Sequence, residues 1–278
     1  MATTLDEQRS PAVLTEEELE RQRRRRDRVN RWFWRILGYV VVLGLWEWAS
    51  GTVMSEQLLP SPSHVVETFG EIWGTGKVLS SFQATLTRIA WGFGLAFIIG
   101  TAIGLLSQNR WWESFFKDAV VIGITAPGLI WALITAIIWG SRPYGPVIAV
   151  ILTTFALVTV NVSEGVKSLP KDLMDMGKAF RVRQLSRQRH IVLPHLAPFL
   201  FTAVRFGFSI AWKVTVLTEI FSSSEGVGFE MRVSSQLFRI DEFLTWILAF
   251  FVFALVLEKV VLQYFERRYF RWRQEVAT

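Results

Sequence analysis

The sequence predicts an all-α, polytopic membrane protein, and three observations carry that reading. Of its 278 residues, 51% are hydrophobic and 19% charged, against about a quarter charged in soluble domains. The charges crowd into the N-terminal tail, a few loops and the C-terminus, and leave long apolar stretches between them. Such stretches approach the ~20 residues that a helix needs to cross a hydrocarbon core. Trp32, Trp34, Trp111, Trp112, Trp139 and Trp272 stand at the ends of apolar runs. An indole is apolar with one N–H to satisfy, which suits a membrane–water interface; ordinary packing aromatics would account for part of the set.

Residues 1–30 read as a polar, basic tail and 31–278 as a six-span domain. Thr15 and Glu18 fit a capping box at the start of a helix that enters the basic run from Arg21 to Arg28. That run could bind RNA, but beside a first span it reads better as a positive-inside anchor touching anionic lipid. About thirty polar residues precede the first apolar run, which is not the pattern of a signal peptide. The spans are expected near 36–53, 84–106, 115–139, 147–162, 199–220 and 244–264. The segment 62–73 reads as a short amphipathic stretch along the outer surface, and 222–243 as a polar outside loop.

Loop charge sets the orientation. With the N-terminus inside, the inside segments hold Arg110, Lys167, Lys171, Lys178, Arg181, Arg183, Arg187, Arg189, Arg267, Arg268, Arg271 and Arg273. The outside segments hold only Lys77, Arg142, Arg232 and Arg239. Every loop agrees with six spans and both termini inside. The net charge of +6 is then a topological signal rather than a nucleic-acid footprint. The sequence has no cysteine, which removes disulfides, zinc–thiolate sites and thiol catalysis. His64, His190 and His195 are scattered and make no convincing metal pair. No catalytic triad or supported carboxylate pair is present, so no enzyme activity is expected.

The inside loop 165–197 is the most informative segment. It combines helical sequence, an aromatic at Phe180 and many cations, and closes on Ile191-Val192-Leu193-Pro194. It reads either as a basic loop with a short amphipathic helix or as a docking element with an apolar anchor and a polar rim.

These residues resemble the permeases of ABC importers, whose loop carries Glu-Ala-Ala, three residues, Gly, nine residues and Ile-x-Leu-Pro. Ile191, Leu193 and Pro194 match its end, Asp175 falls on the Glu position, and Met176 and Gly177 on the two Ala positions. Arg181 occupies the glycine position. Because arginine takes positive φ only at a cost, a reshaped turn is expected there. The resemblance extends to the nitrate/taurine/aliphatic-sulfonate branch. Leu45-Trp46-Glu47, Leu59-Pro60-Ser61-Pro62, Thr87-Arg88-Ile89 with Gly92-Phe93, and Ser168-Leu169-Pro170 are similar to its motifs. So are Arg205, Ala211-Trp212, Glu219 and Ser223-Ser224-x-Gly226-x-Gly228.

The resemblance implies a type I importer permease in a bacterial inner membrane. A second permease copy, a pair of ATPase subunits inside and a substrate-binding protein outside would complete it. The chain has no G-x-x-x-x-G-K-[ST], so ATP and magnesium would be bound by the partner ATPase and no cofactor by this chain. Phe180 is the expected apolar knob, with Asp175, Lys178, Arg181 and Arg183 as its polar rim. The substrate class of the branch is small anions such as sulfonates, nitrate or bicarbonate, with some pyrimidines and aromatic acids.

Polar residues inside the spans follow. Glu47, Arg88, Asn161, Lys213 and Glu219 lie within or near spans, where a central charge costs roughly 2.5–3.5 kcal/mol on insertion scales. They face either the translocation path or another helix through an ion pair. Lys213 and Glu219 are poor partners for one another, being about 9 Å of rise and 240° of rotation apart. Pro127-Gly128 should kink or break the third span and free backbone groups. The expected path residues are Thr125, Pro127, Trp131, Trp212, Thr215 and Glu219. Gly100 and Gly104 form a small-xxx-small pair suited to close helix packing. A stand-alone secondary transporter or channel would share the spans and buried charges. It would leave the loop unexplained, and no inverted repeat is apparent.

Overall fold

A computed structural model describes residues 16–262. Thr15 and the C-terminal Arg267, Arg268, Arg271, Trp272 and Arg273 lie outside the described residues. Among those described, the chain is helical without a strand. The described residues divide into two compact units, one ending at Ser63 and the other beginning at His64.

The first unit is built on α1 (Glu16–Thr52). The helix breaks at its end, where Ser50 has ψ 123° and Gly51 takes φ +81°. The chain then folds back on itself. Trp46 Nε1–H donates to the Pro60 carbonyl at 3.1 Å, Ser50 Oγ to the Leu59 carbonyl at 2.7 Å, and Ser63 Oγ to Glu47 Oε1 at 2.7 Å. The Leu-Trp-Glu and Leu-Pro-Ser-Pro segments are thus two halves of one hydrogen-bonded corner.

The second unit carries the remaining helices. They are α2 (Pro62–Gly74), α3 (Lys77–Leu106), α4 (Arg110–Thr125), α5 (Gly128–Trp139) and α6 (Gly145–Lys167). Then follow α7 (Lys171–Ala179), α8 (Gln184–Arg187), α9 (Leu193–Ser222), α10 (Val227–Gln236) and α11 (Ile240–Val256). Four helical stretches are long and apolar enough to cross a membrane: Lys77–Leu106, Gly145–Lys167, Gln184–Ser222 and Ile240–Lys259. The pair α4 and α5 makes a fifth if counted as one broken span, bent by 100°. These correspond to five of the six expected spans. The sixth, 36–53, falls on α1, whose apolar run carries Glu47 and is cut by the Gly51 kink, and which is not among them.

The 100° bend falls where Pro127 was expected to break the third span. Proline has no N–H to donate and fixes its own φ, so α4 ends on Thr125 and α5 restarts at Gly128 with Pro127 as N-cap.

Packing of α3 on α6 follows from residue size. In lipid there is no water to expel from between helices, so close van der Waals contact drives association. Gly92, Ala96, Gly100 and Gly104 recur every fourth position of α3 and form a groove. A Cβ on Gly92 would lie 2.8 Å from Val150 Cβ, on Gly100 2.7 Å from Val158 Cβ, and on Gly104 2.7 Å from Val162 Cβ. Val150, Val158 and Val162 of α6 are all fully buried in that groove. The pair expected from Gly100 and Gly104 is therefore one half of a longer stripe. A second apolar core joins Val78, Val216, Val227, Met231, Trp246 and Phe250 across α3, α9, α10 and α11.

Candidate functional site

The loop between α6 and α9 holds the residues expected to dock a partner. Pro170 starts α7, with Asp172 in its first turn and Lys178 in its last, both favourable to the helix dipole. Gly177 is buried because the stem of Arg187 crosses it: a Cβ there would meet Arg187 Cδ at 2.9 Å and Ile191 Cδ1 at 3.5 Å. This explains why a small residue stands at that position. Asp175 pairs with Lys178 at 2.8 Å. The hydrogen bond from Lys178, then its charge, holds the Asp175 carboxyl below its ordinary range. Met176 and Arg183 are exposed, and Phe180 ends α7 with 76% of its surface free.

The turn after α7 corrects the sequence expectation. Arg181 does not reshape it; Arg181 itself adopts the left-handed conformation, φ +52°. The Arg181 N–H donates to the Lys178 carbonyl at 2.9 Å and the Val182 N–H to the Gly177 carbonyl at 3.0 Å. This is the paired bonding of a Schellman helix end, which glycine usually supplies. Two backbone hydrogen bonds offset a steric cost of about 1–2 kcal/mol.

After the turn the chain runs helically from Gln184 to Ser222, with one π-turn at Gln188–Val192. Leu193 and Pro194 follow it, and both are exposed. A proline within a helix removes one N–H and crowds the carbonyl four residues earlier, here that of His190. A local wide turn relieves such crowding, so Ile-x-Leu-Pro encodes a bulged entry into α9.

The expected path residues split into two places. Thr125 is exposed and its Oγ1 donates to the Val121 carbonyl. Pro127 is exposed, and Trp131 is half-buried, with its Nε1–H enclosed and lacking an acceptor. The break abuts α9, because a Cβ on Gly128 would lie 3.0 Å from Val214 Cγ2. On either side of Val214, Trp212 packs on Phe250 at 5.1 Å between ring centroids, and Thr215 is fully buried with its Oγ1 bonded to the Ala211 carbonyl.

Glu219 lies elsewhere, in a buried ion cluster. It is 0% exposed. Arg88 Nη1 from α3 donates to its Oε1 at 2.7 Å, Thr85 Oγ1 to its Oε2 at 2.9 Å, and the Gly228 N–H to Oε2 at 3.0 Å. Arg88 also holds Glu225, through the backbone carbonyl at 2.8 Å and the carboxylate at 2.9 Å. The Val227 N–H closes the ring on Thr85 Oγ1 at 2.9 Å. The two glycines make room for the carboxylate. Gly226 has φ +106°, and a Cβ on it would lie 2.6 Å from the Glu219 carboxylate oxygens. A Cβ on Gly228 would lie 2.4 Å from the Val216 carbonyl oxygen. Three motifs quoted separately from the sequence thus converge: Arg88 with its neighbours, Glu219, and Ser-Ser-x-Gly-x-Gly. Sequence reasoning missed Thr85 and Glu225. Thr85 was within reach of it, lying one helical turn before Arg88 on the same face.

Residues 92–271 match the family described as binding-protein-dependent transport system inner membrane component. The chain belongs to that family. It is therefore a multi-pass membrane permease of an ABC importer. Its relatives include SsuC of Bacillus subtilis, a permease protein assigned to aliphatic-sulfonate transport, 24% identical over 87% of this chain and 88% of that one. The bicarbonate transport system permease CmpB of a Synechocystis strain is 26% identical over 82% of this chain and 85% of that one. The nitrate import permease NrtB of the same strain is 27% identical over 62% of this chain and 66% of that one. The permease also shares its fold with a chain from inward-facing structures of the MetNI methionine ABC transporter. The TM-score is 0.55 at 17% identity, over 68% of this chain and 92% of that one.

Proposed function

We propose that this permease pairs with a second copy to carry a small anion inward, driven by a separate ATPase that docks on α7. One observation carries the docking. Phe180 and Leu185 are 76% and 77% exposed, and Leu173, Met176 and Val182 are exposed beside them in sequence. This apolar group stands among Lys171, Lys178, Arg181, Arg183 and Arg189 on a loop between two helices of the bundle. Exposed apolar residues rimmed by charge mark protein interaction sites. Loop charge supports a cytoplasmic position for this surface and for both termini.

ATP and magnesium would belong to the ATPase, whose closure would move α7 and, through the continuous helix from Gln184 to Ser222, the helices around the Pro127 break. A substrate-binding protein would deliver cargo on the opposite face. The anion is supported by the relatives, whose names specify sulfonates, nitrate and bicarbonate. Asp175, Met176, Gly177, Lys178, Phe180, Arg181, Arg183, Ile191, Leu193 and Pro194 form the proposed coupling element. Thr125, Pro127, Trp131, Trp212 and Thr215 are proposed around the path. Glu219, saturated by its neighbours, is assigned to holding helices together.

Purification of the tagged chain from its own host in mild detergent tests the reading. An ATPase subunit in about equal amount is expected, and it should be lost with Phe180→Ala. Purification of the chain alone, even after gentle cross-linking, would rule the docking out.

A further inference from the structure

Lys213 is the charge that the fold leaves unexplained. It lies in α9, nine residues before Ser222, about 14 Å of helical rise from that end. Its neighbour Val214 packs against the Pro127–Gly128 break, where a Cβ on Gly128 would also lie 3.8 Å from Thr153 Cγ2. Thr153 is eight residues into α6, roughly 12 Å from the start of a helix about 34 Å long. Lys213 therefore stands well inside a hydrocarbon core of about 30 Å. Its four-carbon stem is too short to carry the ammonium to the nearer surface.

The side chain is nonetheless exposed. Among the described residues no carboxylate forms an ion pair with it; the one interaction found is a cation–π contact, Nζ at 5.5 Å from the Trp212 ring. The acidic residue of α9, Glu219, lies about 9 Å further along the helix and is taken by Arg88. An aromatic face recovers only part of what an ammonium loses on leaving water. Lipid is thus an untenable neighbour for this face of α9, and a membrane-embedded lysine facing away from its own bundle marks a wet pathway or its ligand. The hinge at Pro127 and Gly128 adds to the argument. Non-helical backbone at this depth is tolerated only inside protein or along water.

We infer that Lys213 lines the translocation path and is the fixed positive charge against which the anion rests midway across the membrane. Two copies of the chain would supply two such charges. This rests on the reading of the substrate as an anion. An ammonium offers a point charge with three donors and no shape requirement. It would hold sulfonate, nitrate or bicarbonate alike and leave discrimination to the binding protein.

The test uses the complete complex in membrane vesicles and has two arms. The chain contains no cysteine, so Lys213→Cys places a single thiol at this position. Anionic 2-sulfonatoethyl methanethiosulfonate and its cationic trimethylammonium counterpart, neither of which enters lipid, should both modify it, since a residue on a wet path is open to water-borne reagents. An unmodified thiol would overturn the inference by placing the side chain against lipid or a partner helix. The second arm measures ATP-driven uptake of labelled ethanesulfonate, nitrate and bicarbonate by the wild type, Lys213→Arg and Lys213→Gln. Loss of a charge-assisted contact should lower uptake by Lys213→Gln about 10- to 100-fold, whereas Lys213→Arg should stay within about threefold of wild type. Equal uptake by Lys213→Gln and wild type would overturn the role of Lys213 alone. Uptake of none of the three by wild type would instead overturn the anion reading, and the role of Lys213 with it.

Discussion

Arg88 Nη1 lies 2.7 Å from Glu219 Oε1, and the two side chains are 6% and 0% exposed. The pair joins α3 to α9 and, through Glu225 and Gly228, to the segment before α10 and to the first turn of α10 itself. Breaking a buried pair by removing one partner costs about 3–5 kcal/mol, because an uncompensated charge remains. Arg88→Met is expected to lower detergent-solubilised stability by that amount. Glu219→Gln should cost less, since the amide oxygen still accepts from Thr85 and Gly228. The double variant Arg88→Met/Glu219→Gln should lose less than the sum of the two single losses, and a thermal-shift double-mutant cycle measures the coupling. Additive losses would show that the pair does not act as a unit.

Glycine positions on α3 should separate by environment rather than by type. Gly94 has open space where a Cβ would go, whereas Gly100 would meet the Phe155 carbonyl oxygen at 2.6 Å. Gly94→Ala should be neutral or stabilise by up to about 1 kcal/mol. Gly100→Ala should destabilise by about 1–3 kcal/mol, because α6 must move away. Unfolding midpoints in one detergent compare the two directly.

Much of this arrangement was legible in the sequence, and the limit lies in what is local. Pro127 announces the break because its missing N–H acts within one turn. Gly100 and Gly104 announce close packing through their spacing alone. The pairing of Arg88 with Glu219 could not be read, since the two are separated by 131 positions and either could have met a different helix. Lys213 and Glu219 could be rejected as mutual partners from helical geometry, and that geometry holds. Arg181 shows the opposite limit. Its intrinsic preference argued for a different turn, but the Gly177 and Lys178 carbonyls at the end of α7 needed donors, and that requirement won.

Arg181→Gly should therefore stabilise the end of α7 locally by about 1 kcal/mol, the steric relief being offset by greater freedom in the unfolded chain. Arg181→Ala keeps a Cβ and should give no such relief. Hydrogen exchange at the Val182 amide, which donates to the Gly177 carbonyl, reports the difference. Equal protection in the glycine and alanine variants would mean that the conformation of Arg181 is not strained.

The Asp175–Lys178 pair should make α7 sensitive to acid in a defined direction. Lys178 holds the Asp175 carboxyl below its ordinary value, so the pair supports the helix while the carboxyl is ionised. That support is complete above the ordinary carboxylate range and disappears as pH falls through the depressed folded value. Lys178→Met removes the first and second causes of the shift together. The Asp175 carboxyl carbon, followed by NMR titration, should then move its midpoint upward. If docking on α7 depends on this pair, retention of the ATPase by Lys178→Met should weaken at neutral pH, while wild type should weaken only on acidification. A midpoint that does not move in Lys178→Met would assign the depression to another cation, and Lys171 is the nearest alternative in charge.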